Sequence, residues 1–167
     1  MKKLAFALVT VAAALSVAVL AACSSDGLTD FGWAKFKIPD GYVEANGLVD
    51  EVTISTSADT DPLNFKLDDR TIQLRPKVRE QAFPSAEAAM TAILEKNGGG
   101  EVQIVEAGDR TWYAASFTVK NEGDSVYGYT DVNAERCVGF NAYYMGIDDP
   151  DLMTVLETLE INESKLP

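Results

Sequence analysis

The 167-residue sequence is long enough for one domain; it contains no histidine and carries a formal net charge of −12. This charge argues against nucleic-acid binding, because a phosphate backbone would be repelled. The lack of histidine removes the usual general base and the commonest metal ligand. We therefore expect that the protein is not an enzyme and that it binds no metal and no cofactor.

The first 22 residues are predicted to be a secretory signal that is removed. Two lysines precede an apolar stretch from Leu4 to Leu20, and two alanines follow it. A charged start, an apolar stretch and small residues at a cleavage site are typical of such signals. The apolar stretch is also near the lower length limit for crossing a bilayer, so a retained signal anchor is the alternative.

Cys23 comes directly after these alanines, and Leu20-Ala21-Ala22-Cys23 resembles the lipobox of bacterial lipoproteins. The resemblance implies cleavage between Ala22 and Cys23, diacylglycerol on the Cys23 sulfur and acylation of the new amino group. Two or more acyl chains anchor a protein stably where one does not. The mature chain is therefore expected to be extracytoplasmic and tethered to a bacterial membrane.

Residues 23–30 are small and polar and are predicted to form the lipidated tether, and residues 31–167 a single domain. Three segments with alternating or β-branched residues predict strands: Trp33 to Ile38, Glu51 to Ser57 and Thr71 to Val78. Pro76 indicates that the third strand is at a sheet edge or ends there.

A helix is predicted from Ser85 to Asn97. Its apolar residues recur at helical spacing, Ser85 is a suitable N-cap, and three glycines from Gly98 to Gly100 stop it. A second helix is predicted to open at Asp149-Pro150-Asp151, where an N-cap precedes proline in the first turn.

Between the helices the pattern predicts four consecutive strands: Glu101 to Glu106, Thr111 to Lys120, Val126 to Asn133 and Cys137 to Met145. The connections between them look like hairpin turns. The predicted fold class is α+β, with a mainly antiparallel sheet and helices packed on its faces.

This pattern resembles the Mog1/PsbP-like domains of bacterial lipoproteins over most of residues 31–161. The matching features are Phe36 to Tyr42, the helix before the three glycines and the Asp148-Asp149 entry to the last helix. The resemblance implies an α/β/α sandwich that serves as a binding or assembly module, with no common catalytic set. The loop from Asp59 to Leu63 departs from it.

Cysteine and the acidic clusters have ordinary explanations. Cys137 is alone once Cys23 is lipidated, and its alternating strand favours a small buried hydrophobe over a nucleophile. Three acidic clusters could offer oxygen ligands for calcium, but none has the spacing of a calcium-binding loop: Asp59 with Asp61, Asp68 with Asp69, and Asp148 with Asp149 and Asp151.

Aromatic residues are concentrated in the four-strand region. Tyr127 and Tyr129 share one face of their strand, while Trp112 lies opposite Tyr113. Trp112, Tyr127 and Tyr129 are the candidate ligand-binding residues, lining a groove for a glycan, peptide or lipid. The alternative, which we favour here, is cross-strand aromatic pairing beneath a helix.

The leading functional hypothesis is a lipid-anchored, non-catalytic module that binds a protein, glycan or lipid partner. A cell-envelope hydrolase using two carboxylates is the alternative, because the chain is rich in acids. An assembly subunit with a large exposed apolar patch is a third possibility.

Overall fold

A computed structural model describes residues 27–45, 50–57, 70–78, 83–119 and 123–167. The predicted signal and its cleavage site, and the first half of the tether including Cys23, lie outside these ranges, as do two acidic clusters: Asp59 with Asp61, and Asp68 with Asp69. Within the ranges, no helix has the length and apolar character needed to span a membrane.

The described elements follow the predicted order of strands, a helix, four consecutive strands and a second helix. In chain order the described elements are β1 (Thr29–Asp30), β2 (Ala34–Phe36), β3 (Val43–Ala45), β4 (Val52–Ser55), β5 (Thr71–Val78), α1 (Ala86–Lys96), β6 (Gln103–Ala107), β7 (Arg110–Val119), β8 (Gly123–Asp131), β9 (Arg136–Tyr143), α2 (Pro150–Thr158), β10 (Glu160–Ile161) and a 3₁₀ turn (Glu163–Lys165).

Seven of these strands form one antiparallel sheet in the order β3-β4-β5-β9-β8-β7-β6. The predicted meander is confirmed as β6 to β9, and β5 joins it by pairing with β9. Pro76 lies in an interior strand, but the pairing of β4 with β5 ends at Val52 and Leu74. Pro76 therefore lies beyond the part of β5 that pairs with β4. On that side no described strand pairs with β5 at Pro76, and proline is tolerated there because no backbone N–H is needed.

A smaller sheet in the order β1-β2-β10 joins the two ends of the domain. Thr29 pairs with Phe36, and Ile161 pairs with Ala34. The chain thus enters the fold two residues before residue 31, at the end of the predicted tether. The two outer strands are only two residues long and carry no alternating pattern that could be read from the sequence.

Both predicted helices are confirmed, together with their caps. The Ser85 hydroxyl accepts a hydrogen bond from the Ala88 amide at 3.1 Å, and the Asp149 carboxylate accepts one from the Asp151 amide at 3.0 Å. Gly98 follows α1 with φ +102°, a conformation that L side chains rarely adopt. The caps satisfy amide groups that have no partner inside the helix.

The larger hydrophobic core lies between one face of the main sheet, α2 and the small sheet. Trp112 and Phe140 are its largest buried side chains on β7 and β9, with ring centroids 5.3 Å apart in an edge-on arrangement. Leu152 and Leu156 contribute from α2. This face is closed over by packed apolar side chains.

Helix α1 covers part of the opposite face of the main sheet. Met90 and Leu94 pack against Ala115, with Tyr113 and Tyr129 at the margin of this second cluster. The two helices therefore lie on opposite faces, and the predicted α+β class with helices on the sheet faces is confirmed. Helix α1 contacts β7 and β8, and a groove lies between the helix and β5, β8 and β9.

Candidate functional site

The groove between α1 and the strands beside it is the candidate site, and we call it the α1–β5 groove. It has a volume of about 280 Å³, close to the lower end of the ~300–1,000 Å³ that small-molecule sites occupy. One wall comes from strands of the main sheet and the other from α1. Phe83 lies at the entry to the helix and contributes to the lining.

The helix wall follows one side of α1 from end to end. It consists of Ser85, Ala89, Ala92, Ile93 and Lys96, which recur at three- and four-residue spacing. At a rise of 1.5 Å per residue this side is about 16 Å long. The alanine side chains in the middle of this wall are small, so they leave space for a ligand beside the helix.

The strand wall is formed by Lys77, Val78, Tyr129 and Cys137. Lys77 and Cys137 are paired neighbours on β5 and β9. Cys137 is 7% exposed, which confirms that it is buried. Val78 is 62% exposed and gives the rim an apolar edge.

Tyr129 is held flat against the sheet because its neighbour on β9 is a glycine. A Cβ at Gly139 would lie 2.7 Å from Tyr129 Cε1, closer than side chains tolerate. The Tyr129 hydroxyl then meets Lys77, whose Nζ donates to it at 3.0 Å and lies 5.0 Å from the ring centroid. Glycine at position 139 thus positions both a ring and an ammonium group at the groove.

The charged residues in the described lining of the groove are both lysines. Lys77 and Lys96 line it, and none of its described lining residues is acidic. The α1 carboxylates of Glu87 and Glu95 line an adjoining depression, which shares Phe83, Ser85 and Ala92 with the groove. The described lining of the groove is therefore positive, in a chain of net charge −12.

The neighbouring charged side chains on this face are already engaged. Arg75 Nε contacts Glu51 Oε1 at 2.9 Å, and its Nη2 donates to Gln73 Oε1 at 2.8 Å. The Asp131 carboxylate accepts from the Ala86 amide at 2.9 Å, at the N-terminus of α1. In the described part of the chain, by contrast, neither Lys77 nor Lys96 pairs with a carboxylate.

The three predicted ligand-binding residues have different locations. Tyr129 lines the groove. Tyr127 is in an aromatic row with Phe117 at 5.1 Å and Tyr143 at 6.2 Å, as the cross-strand alternative predicts. The structure corrects the assignment of Trp112: it is fully buried in the larger core on the other face, because alternation along β7 places it opposite Tyr113.

Lys77 and Lys96 were absent from the predicted site residues. The sequence feature that could have indicated Lys77 is the polar side of β5, where Gln73, Arg75 and Lys77 alternate with apolar residues. That pattern predicts an open sheet face but does not show which cation remains without a carboxylate. Only the positions of Glu51 and α1 make that distinction.

Two carboxylates come together at the start of α2, and a hydrolase that uses two carboxylates would need such a pair. Arg70 forms ion pairs with both Asp149 and Asp151, the second through Nη1 at 2.8 Å. Asp149 also caps the helix. Both carboxylates are thus bound to one guanidinium, an arrangement that stabilises the N-terminus of α2. In the ranges that the structure describes, no group of three metal-ligating residues occurs.

Beside this ion pair, Tyr42 gives a prediction for alkaline pH. Burial raises its pKa from 10 to about 12, with Arg70 opposing the shift and the carboxylates of Asp151 and Asp149 adding to it. The unfolded chain loses the Tyr42 proton first, so between pH 10 and about 12 this residue should cost up to about 1.4 kcal/mol of stability per pH unit. Urea unfolding of wild type and Tyr42→Phe at pH 8 and pH 11 measures this, and parallel losses in the two proteins would contradict it.

The comparisons with known proteins give no family. No protein-family model matches the sequence, and no curated protein matches it significantly. LpqN, involved in cell envelope biogenesis of Mycobacterium tuberculosis, is a similar solved structure: TM-score 0.49, 14% identity, 77% of this chain and 83% of that chain covered.

A protein from Bacteroides thetaiotaomicron has a TM-score of 0.49 at 8% identity over 78% of this chain. The match covers 46% of that protein, so the chain spans less than half of its length. The resemblance to Mog1/PsbP-like domains stays a prediction. The α1–β5 groove is therefore assigned from the residues of this chain alone.

Proposed function

We propose that this chain is a lipid-anchored module of the bacterial cell envelope that binds a small apolar ligand without chemical reaction. The observation that carries the proposal is the α1–β5 groove, with its mostly apolar lining residues and the Tyr129 ring in its strand wall. Concave sites with mostly apolar lining and a few placed polar groups are typical of ligand binding. The lipobox-like segment ending at Cys23 supports the anchoring.

Anchoring is tested by replacing Cys23. We expect Cys23→Ala to abolish the incorporation of labelled fatty acid and to leave unprocessed precursor, because the sulfur is the site of attachment. Cys137→Ala is the matched control and should retain the label, since that thiol is buried in the folded domain. Labelling that persists in Cys23→Ala would contradict the anchor.

Ligand binding is tested on the chain lacking residues 1–23, which contains every described helix and strand and needs no detergent. Decanol, an uncharged probe, should bind with one site in calorimetry. Ala92→Trp fills the middle of the groove and should reduce binding at least about tenfold, a difference of about 1.4 kcal/mol.

Thr91→Trp is the control for that substitution. It adds the same ring at an exposed position of α1 that is outside the groove lining, and should leave decanol binding unchanged. Equal binding by wild type and Ala92→Trp, or no binding by wild type, would contradict the proposed function.

A further inference from the structure

We infer that the ligand of the α1–β5 groove is an anionic amphiphile, a free acid with one alkyl chain whose negatively charged head is bound by Lys77. This inference rests on the proposed function and specifies the chemical class of its ligand. It follows from the charge around the groove and from the way in which Lys77 is held.

The ammonium group of Lys77 is positioned before any ligand binds. Its Nζ donates to the Tyr129 hydroxyl at 3.0 Å, and an ammonium group has three donors. Two donors thus remain for another acceptor. Because the Tyr129 ring is fixed over Gly139, the direction of the group is set by the sheet and not only by the flexible lysine stem.

Among the described residues, no carboxylate pairs with Lys77. Arg75, two residues earlier on the same strand, is paired with Glu51 and satisfies that carboxylate. Asp131, in the same cross-strand row, is engaged by the N-terminus of α1. An ammonium group that has no carboxylate partner in the described structure and lies beside apolar residues attracts a ligand that supplies both a negative charge and a hydrocarbon chain.

Lys96 adds a second positive charge on the helix wall. It is in the last turn of α1, where a cation also stabilises the helix dipole, so that role alone explains its presence. Lys77 lies on strand β5, so a helix dipole does not explain its presence. The volume of about 280 Å³ suits one chain, which favours a single-chain acid over a two-chain phospholipid.

Three probes that share one alkyl chain test the charge: decanoate, decanol and decyltrimethylammonium, titrated calorimetrically into the chain lacking residues 1–23. We expect decanoate to bind at least about tenfold more tightly than decanol, and the cation to bind most weakly. Only the decanoate affinity should fall with added salt.

Substitutions test whether Lys77 is the residue that binds the negatively charged head of the ligand. Lys77→Met keeps an unbranched apolar stem and should lower decanoate affinity to that of decanol, whereas Lys77→Arg should retain most of the preference. Lys165→Met, the same change at an exposed lysine of the 3₁₀ turn, should have no effect. Thermal unfolding of each variant checks that the fold is intact.

The outcomes separate the two proposals. Equal affinities for decanoate and decanol would overturn the charge inference and leave the binding function standing, whereas no binding of any probe would overturn both. Binding to phosphatidylglycerol vesicles without binding of decanoate would also overturn the inference, because it would show that the lysines recognise a membrane surface.

Discussion

Replacing Trp112 by alanine is expected to lower the free energy of unfolding by about 3–5 kcal/mol. The indole is fully buried between the main sheet and α2, and it packs edge-on against Phe140 at 5.3 Å. Removing it leaves a cavity that rigid strands on either side cannot collapse to fill. Urea unfolding followed by circular dichroism measures the change.

Trp112→Phe is the matched control for this cavity. The indole Nε1 has no hydrogen-bond partner in the described structure, so the phenylalanine variant loses volume but no hydrogen bond. Its destabilisation should therefore be clearly smaller than that of Trp112→Ala. If Trp112→Ala costs less than about 1 kcal/mol, or if it leaves the protein stable but abolishes ligand binding, Trp112 belongs to a site and not to the core.

Gly128→Ala is expected to destabilise the fold by about 1–3 kcal/mol through overpacking. A Cβ at this position would lie 2.4 Å from Phe140 Cε1 and 3.1 Å from the Ala114 Cβ, both of them in the closed core. Neither neighbour has free space to move into. The midpoint of urea unfolding should shift downward with an unchanged slope.

Gly139→Ala makes the same substitution in β9, on the other face of the sheet. Its Cβ would lie 2.7 Å from Tyr129 Cε1 and 3.4 Å from the Gly128 carbonyl oxygen, so the half-buried Tyr129 ring would have to leave its place over the glycine. We expect a smaller loss of stability than for Gly128→Ala, together with weaker decanoate binding, because Tyr129 then releases Lys77. Equal destabilisation by the two changes would contradict the distinction between a closed and an open face.

The helices and the meander could be predicted because their signals are local. Ser85 and Asp149 are side-chain caps, and the glycines after α1 end it, so each boundary is encoded within a few residues. The bounds of β5 also agree with its predicted range, Thr71 to Val78, since its alternation continues over the whole strand.

The small sheet and the role of Trp112 could not be predicted in the same way. Pairing of Thr29–Asp30 and Glu160–Ile161 with β2 joins segments far apart in the chain, and strands of two residues have no period. Alternation places Trp112 and Tyr113 on opposite faces, but both faces carry a helix. Which face holds the larger core is decided by tertiary packing alone.

The groove depends on the same tertiary placement. Lys77 is one of several charged residues on the polar side of β5, and its sequence neighbours do not distinguish it. It becomes a candidate only because α1 covers β7 and β8 while Glu51 engages Arg75. Tyr129 could be predicted from its aromatic character, whereas nothing in the sequence distinguishes Lys77, the lysine that donates to the Tyr129 hydroxyl.

The location of decanoate on the domain tests the binding site most directly. In a titration of the isotopically labelled chain lacking residues 1–23, nuclear magnetic resonance should show amide shifts concentrated at Lys77, Ala89, Ala92 and Tyr129. The chemical shifts of amides around Trp112, in the closed core, should not change. Shifts confined to surfaces away from α1, or no saturable shift at all, would contradict a ligand site between α1 and β5.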